Sequence, residues 1–299
     1  MWKFLLGYYP VNTELKENLI RRKRQEYIET CLIYDSLIEN PTKNMNDSEM
    51  KIYKQISVDV PRTMPEYKLF SIEKIRKMML RLLYVWSMRH PASGYVQGFN
   101  DLCTPFFVIF LSQIRNSNDI ESTLDLSEDI LLEIGEDVLM LIEADSYWCF
   151  TKMMDRIQTN YTHNQPGLTI MIKKMEEIIK LVDIELFKRL DQFEITFMQF
   201  SFRWMNCYLM REFPLKLIIR IWDTYFSEDD AFNSFHLYVC ACLLLNFSEK
   251  IKKMTEFQEI MMFLQNLPMS TWTLEEIEVL LAKAFQIQTM YGIKIKSKK

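Results

Sequence analysis

Apolar residues recur at helical spacing along nearly the whole of this 299-residue chain, and sustained alternation of the strand type is scarce. Little interrupts the pattern. Six glycines and nine prolines are few for this length, while twenty methionines and abundant Leu, Ile, Lys and Glu favour helix. The predicted class is all-α. A chain of this size can form one large domain or two closely packed halves. No short repeat, linker or low-complexity block divides it. Residues 1–299 are therefore expected to form a single domain, with a soft internal boundary at the polar stretch Asn160–Gly167.

Individual helices can be read from their apolar faces. Ile75, Met78, Met79, Leu82, Leu83 and Trp86 share one face of a helix that starts near Ile72. Pro91 predicts its end, because a proline disfavours helical geometry in the residue before it. Leu131, Ile134, Val138 and Leu141 predict the inner stripe of another helix, with Ser127 as its N-cap. Leu168, Met171, Met175, Ile178 and Val182 repeat the spacing. Thr273 and Glu276 read as a capping box opening a helix whose inner face carries Ile277, Leu281 and Phe285. Asn40–Ser48 is the most polar loop, and Lys294–Lys299 reads as a frayed, solvated end.

Composition narrows the function. An apolar fraction of 49% and a charged fraction of 25% are ordinary for a soluble globular protein, and a net charge of −4 gives no case for nucleic-acid binding. The densest basic cluster, Arg21–Arg24, fits either contact with an acidic partner surface or a solvated helix face. The cysteines at 31, 103, 149, 207, 240 and 242 form no C-x-x-C pair. That points to buried, reduced thiols in a cytosolic protein and away from a disulfide framework or metal site. The histidines at 90, 163 and 236 suggest no ligand set. The apolar run Pro105–Leu111 falls short of the roughly 18 residues a membrane span needs and reads as a buried helix segment. The apolar start, Met1–Leu6, lacks a signal-peptide cleavage site.

Two short stretches carry the chemistry. The first is Ile56-Ser57-Val58-Asp59-Val60-Pro61-Arg62. Val58 and Val60 are β-branched, Pro61 lacks an amide donor and Pro65 follows, so Arg62 is expected on a loop or helix edge from which a long side chain projects. An arginine's planar fork binds two phosphate oxygens and stays charged at physiological pH. Asp59 can hold that guanidinium in place; the same spacing also fits a plain surface ion pair. The second stretch is Ser93-Gly94-Tyr95-Val96-Gln97-Gly98. Glycines on both sides of Gln97 relax the backbone, so the turn can place it at the surface. A carboxamide donates and accepts hydrogen bonds at once, as orienting a water against a γ-phosphate requires, and Tyr95 can hold the loop. A polar residue at the tip of an ordinary helix–helix connection would read the same way. Arginine and glutamine are the two side chains that GTP hydrolysis most often recruits.

In their order these stretches resemble the TBC domain of Rab GTPase-activating proteins. That family's first pattern, I-x-x-D-x-x-R, is met by Ile56, Asp59 and Arg62. Its second, Y-x-Q-G, is met by Tyr95, Gln97 and Gly98 and extended here by Asn100-Asp101. A third stretch runs from Phe202-Arg203-Trp204-Met205-Asn206 through Leu209–Pro214 to Arg220-Ile221-Trp222-Asp223, and is similar to the family's later structural segment. Within it Arg203 and Arg211 read as structural, because a buried charge demands a partner. Trp2–Pro10 resembles the family's N-terminal signature, without the arginine that usually precedes the tryptophan. The chain is then either minimal at that edge or lacks a preceding part. The spelling Arg89–Gly94 looks most like the Golgi-associated branch.

The resemblance implies a multi-helix TBC-type fold of two closely packed helical halves and an action in trans. The chain would accelerate GTP hydrolysis by a Rab-family small GTPase in its GTP-bound state. Arg62 would be an arginine finger and Gln97 a glutamine finger, supported by Asp59, Ile56, Tyr95 and Gly98. No independent reaction, metal or cofactor of its own is implied, since GTP and Mg2+ are carried by the partner GTPase. The chain has no GxxxxGK[ST] loop. Membrane contact would come only through the Rab, in vesicle trafficking on the cytoplasmic side of the Golgi or another endomembrane. The alternative is a non-catalytic Rab-binding or scaffold module with the same fold, and the presence of both fingers separates the two. A helical-repeat protein finds no support, because no self-similar period of roughly 30–47 residues appears.

Overall fold

The computed structural model describes every residue except 40, 42–44, 117–118 and 297–299. The polar loop expected at Asn40–Ser48 and the tail expected at Lys294–Lys299 lie partly outside the described residues. Among those described, α-helices and short 3-10 turns are the only regular elements. The chain divides into two compact units, Met1–Gln158 and Thr159–Lys299.

In the first unit the helix Glu136–Ile157 is the central element, packed against Thr13–Glu39, Glu73–Arg89 and Phe99–Ile114. The face read from Ile75 to Trp86 is buried, and its helix ends at Arg89, with His90 as C-cap and Pro91 beyond. The apolar run Pro105–Leu111 lies inside Phe99–Ile114, as a buried helix segment should. Pro105 deprives the Asp101 carbonyl of its helical donor, and the Thr104 hydroxyl donates to that oxygen at 2.8 Å instead.

Two buried carboxylates on the central helix tie the unit together. Glu143 accepts from the Tyr27 hydroxyl at 2.7 Å and from Arg81 through two bonds, also 2.7 Å each. Asp145 accepts from Lys3 at 2.5 Å, the Tyr8 hydroxyl at 2.7 Å, and Arg24 at 2.7 and 2.8 Å. Burial alone would push the Asp145 carboxyl up; Arg24 and Lys3 outweigh it and hold the group below the usual carboxylate range. The opening segment is thereby anchored, with Trp2, Leu6 and Tyr8 buried. The basic cluster Arg21–Arg24 is largely engaged within the unit: Arg24 at Asp145, Lys23 3.9 Å over the Trp148 ring, and Arg21 on Asn18.

One expected helix is two. The stripe Leu131–Leu141 is cut into Glu128–Ile134 and Glu136–Ile157 because Gly135 takes φ 84, in the left-handed region that breaks the helical ladder. Ser127 stands at the N-cap but makes no capping bond, and of the four stripe residues only Leu131 is fully buried.

In the second unit Phe235–Asn246 is buried without a break from Phe235 to Leu244, which is how a helix reads when neighbours cover it all round. Pro166–Val182 and Leu274–Lys296 pack against it. The capping box is present: Thr273 N–H donates to Glu276 Oε2 at 2.7 Å and Glu276 N–H to Thr273 Oγ1 at 3.3 Å. Ile277 and Leu281 face inward, but Phe285 is 61% exposed and Ala284 takes the inner place. Seven residues on from Ile277 return close to its azimuth, whereas eight overshoot by about 80°. His236 is fully buried in this core: its Nδ1 lies 2.9 Å from the Tyr225 hydroxyl and its Nε2 3.2 Å from the Trp204 carbonyl. Burial lowers its pKa to about 3. All six cysteines are buried free thiols. No described helix is long and apolar enough to cross a membrane.

Candidate functional site

The first motif closes a helix. Asp47–Asp59 opens on an Asn46–Glu49 capping box and runs into a 3-10 turn, Val60–Arg62. Pro61 fits the start of that turn, where its missing N–H leaves no bond unmade. Ile56 is fully buried and Asp59 is 2% exposed, so the turn is fixed from beneath. Arg62 projects outward with 56% of its side chain exposed, and one terminal guanidinium nitrogen pairs with Asp59 Oδ1. From the following helix, Arg76 donates to the Phe70 carbonyl at 2.9 Å and the Pro61 carbonyl at 3.3 Å, bracing the same turn. The helix edge expected for Arg62 is where the structure places it.

The second motif starts a helix. After Arg89 the chain turns through residues 91–94, and Gly98 then caps Phe99–Ile114 with φ 111, a conformation an L side chain resists. Gln97 is exposed, whereas Tyr95 and Gly98 on either side are buried. Its flanks are packed: the Phe99 ring meets Trp86, Phe150 and Tyr95 edge-on at 5.3, 6.0 and 6.0 Å.

A buried hydrogen-bond frame joins the two motifs. The Tyr95 hydroxyl donates to Asp59 Oδ2 at 2.9 Å and lies 3.2 Å from Asn100 Oδ1. Asp59 therefore holds Arg62 with one oxygen and Tyr95 with the other. Asn100 Oδ1 accepts the Gly98 amide at 3.1 Å, while its Nδ2 donates to Thr63 Oγ1 at 2.9 Å and Asp101 Oδ1 at 3.3 Å. The Thr63 hydroxyl in turn donates to the Asp59 carbonyl at 3.0 Å. Burial, reinforced by the Asp59 charge, keeps the Tyr95 phenol far above its ordinary pKa, so it remains a donor.

The frame thus brings together Ile56, Asp59, Arg62, Tyr95, Gln97 and Gly98, all in the first unit. It adds Thr63, which nothing in the sequence singles out, and gives a role to Asn100, visible there only as an extension of the second pattern. The third stretch lies in the second unit. Arg203 binds the buried Glu212 through two bonds of 2.6 and 2.8 Å and the Gln265 carbonyl at 2.9 Å, the structural pairing expected of it. Trp222 is core. No cluster of three or more His, Cys, Asp or Glu among the described residues is placed to hold a metal.

Fold and site define an all-helical domain that offers an exposed arginine and an exposed glutamine from one buried frame. The sequence profile of the Rab-GTPase-TBC domain (RabGAP-TBC) matches residues 1–252. The chain is 43% identical over 292 residues to TBC1 domain family member 22A of Homo sapiens, which covers 97% of this chain and 54% of that protein. It is likewise 43% identical over 296 residues to the GTPase-activating protein gyp1 of Schizosaccharomyces pombe, covering 98% of this chain and 55% of that one. The crystal structure of the Ypt/Rab-GAP domain of Gyp1p superposes with a TM-score of 0.87 at 40% identity, over 97% of this chain and 87% of that chain. At 16% identity the Chlamydomonas flagellar RabGAP TBC domain shares the fold, with a TM-score of 0.58 over 95% of this chain and 88% of that chain. The chain belongs to the Rab-GTPase-TBC domain family. It spans about half the length of the curated relatives it matches.

Proposed function

We propose that this chain activates GTP hydrolysis on a Rab-family GTPase in its GTP-bound state by supplying Arg62 and Gln97 in trans. The observation that carries this reading is the frame itself, which sets two exposed side chains of complementary chemistry at the ends of one buried hydrogen-bond system. Arg62 meets charge that develops on the transferring phosphoryl oxygens. Its guanidinium has five N–H donors, and Asp59 engages one terminal nitrogen, so the fork keeps donors for phosphate. Gln97 orients the attacking water, accepting from it through the carbonyl oxygen while its amide donates toward the phosphoryl group. The nucleotide and Mg2+ are the GTPase's own. The place of action follows the partner, on the cytoplasmic face of an endomembrane, and the spelling Arg89–Gly94 favours the Golgi.

Phosphate release from a panel of GTP-loaded Rab proteins, with and without this chain, tests the reading. At least one Rab should be accelerated. Binding to Rab proteins without acceleration of any would leave a scaffold module in its place.

A further inference from the structure

We propose that Asn100 and Thr63 are positioning residues that couple the two fingers, so that Arg62 and Gln97 are set as one unit; this rests on the catalytic reading above. Thr63 directly follows Arg62, and Gly98 directly follows Gln97. The Asn100 carboxamide spans them, taking the Gly98 amide at 3.1 Å and giving a hydrogen to Thr63 Oγ1 at 2.9 Å. Its second hydrogen goes to Asp101 Oδ1 at 3.3 Å, which fixes the amide's orientation. The Thr63 hydroxyl passes the link on to the Asp59 carbonyl at 3.0 Å, and the Asp59 carboxylate grips Arg62. Asn100 and Thr63 are each 2% exposed, so solvent water does not compete for these bonds.

The geometry is more than packing requires. A helix start and a 3-10 turn could be wedged together by apolar side chains, which fix volume but leave sliding and rotation soft. A donor–acceptor chain fixes distance and direction together. It also runs to both fingers, whereas a residue serving one finger needs a bond to one side only. Misplacement of a reacting group by about 1 Å can cost on the order of 100-fold in rate, so a frame that sets the two groups against each other acts on the chemical step.

The test uses the full chain and a Rab that responds to it. Thr63→Val keeps the shape and removes the hydroxyl; Thr63→Ser keeps the hydroxyl and removes the methyl. Single-turnover phosphate release is followed as the activator is titrated, giving the saturated rate and the half-saturating concentration separately. Thr63→Val should lower the saturated rate by about tenfold or more, with the half-saturating concentration little changed and helical content retained by circular dichroism. It should also weaken binding to the Rab carrying GDP and a fluoride mimic of the phosphoryl group, but not to the GTP-analogue complex. Thr63→Ser should stay close to wild type, and Asn100→Ala should reproduce the Thr63→Val pattern. A Thr63→Val protein at wild-type rate overturns the inference. So does Thr63→Ser as slow as Thr63→Val, which would mean packing, or a loss confined to the half-saturating concentration, which would mean docking. If the wild-type chain accelerates no Rab, the catalytic reading fails and takes the coupling with it; an active wild type with an unaffected Thr63→Val removes the coupling alone.

Discussion

Arg62 is held by a carboxylate that is itself held, and this ordering sets what each substitution should do. Arg62→Ala should cut stimulated hydrolysis by about 10³–10⁵-fold, the usual contribution of an arginine finger. Arg62→Lys should be nearly as poor, since an ammonium presents a point charge in place of the fork. Phosphate release with circular dichroism as a folding control checks both, and full activity in either would end the assignment. Asp59→Ala should be milder, because it loosens the guanidinium and frees the Tyr95 hydroxyl without removing the charge; a loss equal to that of Arg62→Ala with the fold retained would contradict the positioning role. Gln97 makes a sharper expectation. A Rab whose own switch glutamine is replaced by alanine should still respond to this chain, whereas Gln97→Ala should cripple activation of the wild-type Rab. An unresponsive glutamine-less Rab together with a fully active Gln97→Ala would leave Arg62 as the only finger. At this scale what was legible is placement: Arg62 at a helix edge and Gln97 at an exposed turn stand where the sequence expects them. Thr63 was silent because its hydrogen bond is to a partner 37 positions away, and a threonine looks alike in sequence whether its hydroxyl is bonded or not.

Helices begin and end here by different means, and the difference is measurable. Thr273 exchanges two bonds with Glu276, while Ser127 occupies the same position before its helix without a side-chain capping bond. Thr273→Ala should therefore destabilise the protein by about 1 kcal/mol, seen as a lower midpoint in thermal or urea unfolding, and Ser127→Ala should leave that midpoint nearly unchanged. Equal effects would mean that position alone, and not the bond, stabilises these ends. The apolar faces of Glu73–Arg89 and Pro166–Val182 were legible because a regular stripe repeats over several turns. Two details were not. A single glycine at 135 splits a continuous pattern through its backbone angle, which carries no hydropathy signal. Phe285 and Ala284 are adjacent, and size drew the reading to the phenylalanine although the helix turns the alanine inward.

Across the molecule, ionisable groups are buried in two different states. Asp145 lies among cations in the first unit, whereas His236 lies uncharged among Tyr225, Trp204 and Cys240 in the second. An unfolded imidazole titrates near 6.5 and the folded one near 3, so between these values the unfolded chain binds a proton that the folded chain does not. The stability this neutral imidazole contributes is intact above pH 6.5 and falls as the pH drops, by about 2 kcal/mol at pH 5. Urea unfolding at pH 7 and pH 5, with hydrogen exchange over Phe235–Asn246, should show the loss. His236→Gln should remove this part of the slope while lowering stability at pH 7; burial holds the Glu143 and Glu212 carboxyls above their ordinary range, which acts in the opposite sense, so equal slopes in wild type and variant would refute the assignment. The grip of Asp145 on Lys3 has a consequence for biosynthesis. Their separation of 142 residues means that the anchor of the opening segment is made after most of the first unit has been translated. At roughly 5–20 residues per second, Trp2 and its neighbours wait on the order of ten seconds for the carboxylate that will secure them, and during that interval a chaperone can reach them.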